Sequence, residues 1–454
     1  MGILIDITLW GWIPVVLTLF SILPARRAVI VAYLVAWLFL PVAGYDLPGF
    51  TNYNKTTATT VGVLLGALIF DADRLRSFRP SLLDVPMLVF CVSPLFSSLG
   101  NDLGLYDGLS AALYKTLTWG LPWLTGRLYF GSLEGIREFG LAMVLGGLVY
   151  VPLCWWEIRM SPQLHIDVYG FIQHGFEQTR RGGGFRPMVF MHHGLMLGMF
   201  MACSALTAVQ FWISGVRRDL FGVPMWSIAA VLVVTAVMCK STGATLLMCA
   251  AIAGLLVMRR WKTALPVVLM LVIPVVWLST RATGLWDGNE AIEVARLISE
   301  DRAGSLQFRI DAENRLSEHA LNRPFLGWGA WGRNFVPEEP GSDRMVIADG
   351  LWILTLGTQG LLGLIALYVA GLLPLFAFAR RYHPRHWHER SLGAAAVFAL
   401  IVGLFMIDNL VNDMFNPLYV LAAGGVIGCS LRRKPFVKQT SRHRIRVTLP
   451  VRSA

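Results

Sequence analysis

The sequence predicts an all-α, polytopic transmembrane bundle with a large helical loop on its outer side, and three observations predict it. The chain is 55% hydrophobic and only 15% charged, too little polar surface for a soluble fold of 454 residues. Apolar runs of roughly membrane-crossing length, about 20 residues, recur along most of it. The short loops between those runs sort by charge.

The clearest runs are residues 28–44, 140–156, 224–239, 243–258, 264–279, 353–379 and 392–407. Shorter or more polar ones are 9–23, 59–70, 83–99, 109–130, 189–211 and 418–431. Together they predict about twelve or thirteen spans, with the count near the N-terminus open by one. The chain opens MGILIDIT, with no basic stretch ahead of the first run, so 9–23 reads as a retained span. All six cysteines lie in apolar runs, which predicts neither disulfides nor a metal site.

Basic clusters fall at Arg26–Arg27, at Arg74, Arg76 and Arg79, at Arg217–Arg218, at Arg259, Arg260 and Lys262, and at 380–385. A basic tail covers 432–454. Placing these inside, as the positive-inside rule requires, makes the intervening loops alternate outward: 45–55, 100–107, 157–186, 240–242, 281–347 and 408–416. The C-terminus is then cytoplasmic. The net charge of +11 is accounted for by these loops, and no nucleic-acid partner is expected. The whole chain, 1–454, reads as one integral membrane domain in the lipid bilayer.

The loop 281–347 is too long to be a simple connector. Residues 291–298 place Ile292, Ala295, Leu297 and Ile298 near one helical face. Ser305 is a candidate cap for a second helix striped by Leu306, Ile310 and Leu316. The loop carries eight arginines and no lysine. The guanidinium fork suits phosphate and carboxylate, but Asp301, Asp311, Glu313 and Glu318 offer ion-pair partners in the same loop.

Other ionisable residues are candidates in their own right. Arg181 and Arg186 bracket Gly182-Gly183-Gly184-Phe185, a flexible turn that also permits close approach of an anion. His192 and His193 stand at the outer end of a predicted span, where an ionisable side chain marks either function or a contact with a neighbouring helix. Lys115 sits within the run 111–119, facing either a polar cavity or the interface. Lys240 and Arg281 lie at outer span ends, where snorkelling accounts for them. Asp349 precedes the apolar helix of 353–379 and reads either as its N-cap or as a base held ionised by the helix dipole. His383, His386 and His388 have no standard metal-ligand spacing.

Four segments in order carry a resemblance: Arg181-Gly-Gly-Gly-Phe-Arg-Pro; Ser241-Thr242-Gly243-Ala244; Arg309 followed by Asn322-Arg-Pro-Phe-Leu-Gly-Trp-Gly; and Asp349-Gly-Leu-Trp leading to Gly360-Leu-Leu-Gly363. With the large outer loop and the run count, they resemble the bacterial O-antigen ligase and polysaccharide polymerase family over residues 181–378. The chain departs from that family at Asp349, where its ligases carry histidine, and at Thr242, where they carry arginine. The resemblance implies a glycosyltransferase of the bacterial cytoplasmic membrane, needing neither cofactor nor metal. It would move a glycan from an undecaprenyl-diphosphate carrier to the hydroxyl of a glycan or lipid acceptor on the outer face, in company with envelope assembly proteins. Arg181, Arg186 and Arg309 would then hold the diphosphate, and Asp349 would serve as base or positioner. The rival readings are a polysaccharide or lipid transporter or flippase, expected to show internal symmetry and broken helices that the sequence does not display, and a non-catalytic assembly component.

Overall fold

The computed structural model describes residues 2–47, 51–181, 183–297, 300–339 and 342–432. The basic tail beyond Arg432, and Gly182 of the glycine run, lie outside the described residues. The chain is mostly helical, and each of the thirteen apolar runs carries a helix. Six helices among the described residues are long and apolar enough to cross a membrane: Ile3–Ile22, Leu82–Leu99, Leu133–Met160, Gly194–Ser214, Thr242–Trp261 and Leu351–Arg381. Five shorter apolar helices accompany them: Lys55–Phe70, Met225–Met238, Leu265–Arg281, Gly393–Asp408 and Pro417–Leu431. This is an integral membrane protein with an all-α core. The only strands among the described residues form four two-stranded hairpins in loops.

Burial sorts the helices into centre and rim. In Gly194–Ser214, 89% of the most apolar stretch is buried, against 28% in Ile3–Ile22, so the former is central and the latter peripheral. The rim helix Leu265–Arg281 exposes Leu269, Val272, Ile273, Val275 and Val276. In water such a face would be unfavourable, but lipid chains accept it. Inside, Phe139 stacks between Phe130 and Phe398, with ring centroids 4.8 and 5.0 Å away. Where Leu121–Tyr129 crosses Pro417–Leu431, the contact is made by backbone. A Cβ added at Gly126 would meet the Leu421 carbonyl oxygen at 2.0 Å, and one at Gly428 would meet the Gly131 Cα at 2.4 Å. The Gly424-x-x-x-Gly428 spacing provides the small-residue face that close helix approach in lipid uses.

The long loop forms two helices as expected, but the predicted stripe divides between two neighbours and the second helix starts early. Helices Asn289–Arg296 and Glu300–Ala320 pack together through Ile292, Ala303 and Ile310, while Ala312, Leu316 and Ala320 join the main core. Ser305 falls within the second helix, which starts upstream at Glu300.

One feature contradicts the expectation of unbroken spans. The Leu351–Arg381 helix is interrupted at Gly360, with φ 63° and ψ −163°. The segment Pro324-Phe325-Leu326-Gly327-Trp328-Gly329 enters the break and takes over its backbone bonding. Leu361 and Leu362 donate to the Pro324 and Phe325 carbonyls (2.7 and 3.2 Å), and Trp328 and Gly329 donate to those of Gly357 and Thr358 (2.8 and 3.1 Å). Asn101 holds the wedge from outside, donating to the Gly327 carbonyl at 2.8 Å. Non-helical backbone at this depth is tolerated because protein surrounds it and satisfies it. A second irregularity, a π-helical turn, spans Thr116–Gly120.

Candidate functional site

At the start of the Leu351–Arg381 helix, sequence offers Asp349 as a cap, but the structure assigns it elsewhere. The N-cap is Gly350, with no side-chain cap. The Leu351 amide is taken by the carbonyls of Asn409 and Asn412, both at 3.1 Å. Asp349 instead accepts from Arg309 Nε at 3.0 Å, across 40 residues. The two side chains are 50% and 24% exposed, so a substrate can reach them. Among the described residues no protein group accepts from the two Nη groups of Arg309. The guanidinium fork is therefore oriented by a carboxylate on one edge and available on the other.

A second arginine of the same loop behaves oppositely. Arg281, expected to snorkel, is 2% exposed. Its Nη2 meets Glu313 at 3.1 Å, and its Nη1 donates to Asn314 at 2.6 Å and to the Trp286 carbonyl at 3.2 Å. Burial pushes the Glu313 carboxyl up to about 7, against the lowering pull of Arg281, Trp352 and Arg309. This pair docks the loop helix Glu300–Ala320 on the bundle, one helical turn from Arg309. It has no room for a ligand.

The loop before Gly194–Ser214 comes into position through a buried carboxylate that sequence reasoning passed over. Glu157, 1% exposed, accepts from the amides of Met188 and Val189, both at 2.8 Å, and of Leu164 at 3.2 Å. The helix itself begins at Gly194, so His192 and His193 lie just outside it, not within a span. His193 is its N-cap: Nδ1 accepts from the Leu195 amide at 3.0 Å. That leaves the proton on Nε2, which faces Gln178 Oε1 at 3.2 Å. The ring of His174 stands 4.5 Å from that of His193 and 5.6 Å from that of His192. Burial foremost, then His174, Arg186, His192 and Arg309, hold the His193 imidazole down to about 3, so it is neutral at ordinary pH.

Arg186 and Arg309, one from each arginine-bearing segment, both act electrostatically on His193. Arg186 is 3% exposed and donates to the Lys240 carbonyl at 3.2 Å. Arg181 belongs to the hairpin Arg180–Arg181 and Gly184–Phe185, which borders a recess of about 420 Å³. Lys240 does not snorkel: its Nζ donates to the Arg181 carbonyl at 2.9 Å and fixes the hairpin from beneath. Of the diphosphate candidates, Arg309 and Arg181 are both half-buried, Arg181 beside the recess, and Arg186 is buried as a source of positive potential.

Lys115 lies over the Phe90 ring at 5.1 Å and interacts electrostatically with Asp413. Asp413, in the loop between Gly393–Asp408 and Pro417–Leu431, is the second residue that sequence reasoning missed. Asp413 is exposed as a residue, yet its carboxyl has protein on most sides. That burial raises its pKa, as does Asp349, while Lys115 opposes the rise. The signal was present as the polar run Asp408-Asn409 and Asn412-Asp413 between two apolar stretches. The resulting site holds two carboxylates, Asp349 and Asp413, flanked by Arg309 and Lys115, with neutral His193 and buried Arg186 on one side. Among the described residues no group of His, Cys, Asp and Glu has a metal-binding arrangement.

Compared against protein-family models and curated proteins, the chain matches none.

Proposed function

We propose that the protein is a membrane glycosyltransferase resembling O-antigen ligases and polysaccharide polymerases, acting on a polyprenyl-diphosphate-linked glycan at the outer face of the bacterial cytoplasmic membrane. On this reading the apolar helices make about twelve or thirteen spans, the 281–347 loop is extracytoplasmic and the C-terminus is cytoplasmic. The observation that carries the reading is the half-buried Arg309, held through Nε by Asp349, whose Nη groups meet no protein acceptor among the described residues. In such a reaction the acceptor oxygen attacks the anomeric carbon, the bond from that carbon to the diphosphate breaks, and the acceptor proton passes to a carboxylate. Arg309 and Arg181 supply charge that grows in value as the diphosphate leaves. Asp349 orients Arg309. Asp413, whose pKa burial raises, takes the proton or shares that task with Asp349.

The break at Gly360 is a feature that a transporter also uses. Here the gap is filled by residues 324–329, which favours a structural role for it. The test is transfer from a lipid-linked donor by the purified protein in vesicles. Arg309→Lys keeps charge but loses the fork and should lower transfer at least 10-fold with folding intact. Full transfer by Arg309→Lys, or glycan movement across the vesicle without bond transfer, overturns the reading.

A further inference from the structure

At the basic end of the bundle, the start of Leu133–Met160, the link that follows Gly194–Ser214 and the turn ahead of Gly393–Asp408 enclose a recess of about 330 Å³. Arg137, Arg217, Arg218 and Arg390 line it, with Asp219 as the one acidic residue in its wall. Arg217 Nε donates to the Asp219 carbonyl at 2.8 Å. Among the described residues, Arg137, Arg218 and Arg390 have neither an ion pair nor a side-chain hydrogen bond within the protein. Of the acids adjacent to them in sequence, Glu138 pairs with Arg26 at 3.2 Å and Glu389 with His386 at 2.6 Å. Four guanidinium groups from three separate chain segments thus converge on a cavity with little negative charge of its own. Folding bears their mutual repulsion, and an anion would relieve it.

We propose that this recess binds the phosphodiester headgroup of an anionic phospholipid. The helices flanking it are two of the six of membrane-crossing length, so it opens at the level of their ends, where headgroups lie. The adjoining hairpin Asp219–Leu220 and Val223–Pro224 carries Phe221 at its tip, 83% exposed. Val223, Trp226 and Trp212 are exposed close by. Aromatic side chains beside arginines at a helix end are the pattern of a membrane-interface anchor. That pattern selects a lipid over a soluble anion, since acyl chains would cover this apolar rim. Leu141 and Val216 in the wall suit the glycerol end of such a molecule. The site is independent of the glycosyltransferase reading and lies at the other end of the helices on the alternating topology.

Native mass spectrometry of the detergent-purified full chain tests the assignment, titrating phosphatidylglycerol against phosphatidylethanolamine. The intact protein should retain one tight phosphatidylglycerol adduct that phosphatidylethanolamine does not replace. The triple variant Arg137→Gln, Arg218→Gln, Arg390→Gln should bind it on the order of 100-fold more weakly, the loss expected for three charges near a headgroup. Its melting temperature in lipid-free detergent should match or exceed that of the parent, because these side chains have no partners to lose. Arg79→Gln, in the separate basic recess beside Arg74 and Arg127, should leave the adduct unchanged. Equal retention in the triple variant overturns the site. Displacement of the lipid by millimolar inorganic phosphate overturns the lipid source in favour of a soluble anion.

Discussion

Replacing Gly360 with alanine forces two separate costs on one position. Its backbone, at φ 63° and ψ −163°, lies in a region that essentially only glycine occupies, and holding another residue there costs about 1–3 kcal/mol. The added Cβ would also stand 2.3 Å from the Phe325 carbonyl carbon and 2.5 Å from the Leu326 nitrogen. Both atoms are backbone, so no side chain can swing away. If the wedge is expelled, the four hydrogen bonds it makes with the broken helix go with it, each worth about 1 kcal/mol net. The expected destabilisation is therefore at least about 2 kcal/mol, rising toward about 6 if the wedge leaves entirely. Unfolding of the purified protein in mild detergent, followed by tryptophan fluorescence, reads this directly. Gly304→Ala is the control: it lies within Glu300–Ala320 with nothing near an added Cβ, and should be neutral or stabilising by up to about 1 kcal/mol. A Gly360→Ala protein that unfolds within about 0.5 kcal/mol of the parent, well inside that predicted cost, would refute the account of the break as enforced by backbone geometry.

Other expected outcomes concern the ion pairs and the site. Glu313→Ala strips the buried Arg281 of its acceptor altogether and should cost about 3–5 kcal/mol, much of which Arg281→Met in the same chain should restore. Because the Glu313 carboxyl is raised from 4.5 to about 7, the folded state holds a proton there that the unfolded state releases. Its contribution to stability is present below pH 4.5 and is lost as pH rises through about 7. Melting temperatures across that window should fall in the parent and fall less steeply in Glu313→Gln. His193→Ala removes a helix cap and should cost about 1 kcal/mol, while His193→Asn keeps the cap and recovers most of it; equal losses would show that the ring's contact with Gln178 matters more. Asp413→Asn should abolish glycan transfer with melting unchanged if Asp413 is the base, and Asp349→Asn should do so if Asp349 is. Cysteines at Glu338 should react with an impermeant reagent in intact cells and those at Arg217 only after permeabilisation; the reverse would refute the orientation.

Helix positions were legible in the sequence because they follow from a one-dimensional quantity. A run of apolar residues must hydrogen-bond its own backbone in lipid, and each of the thirteen runs carries a helix. Of the predicted stripe, Leu306 and Ile310, four residues apart, do share a face against Asn289–Arg296, but Leu316 turns to the main core. Ion-pair choice was not legible. Arg281 and Arg309 stand in one loop with the same acids within reach, yet Arg281 is sealed against Glu313 and Arg309 stays partly exposed against Asp349. Which arginine is buried depends on how the helix Glu300–Ala320 lies on the bundle, a matter of packing between distant segments. Asp349 reads as a cap in sequence, but the loop 409–412 supplies carbonyls to that helix start. Lys115 and Asp413 likewise meet only through tertiary folding. Gly360 is the sharpest case: glycines recur throughout this chain, and only the arrival of residues 324–329 decides that this one must break a helix. Local composition encodes what each segment does alone, and the site arises from what distant segments do to one another.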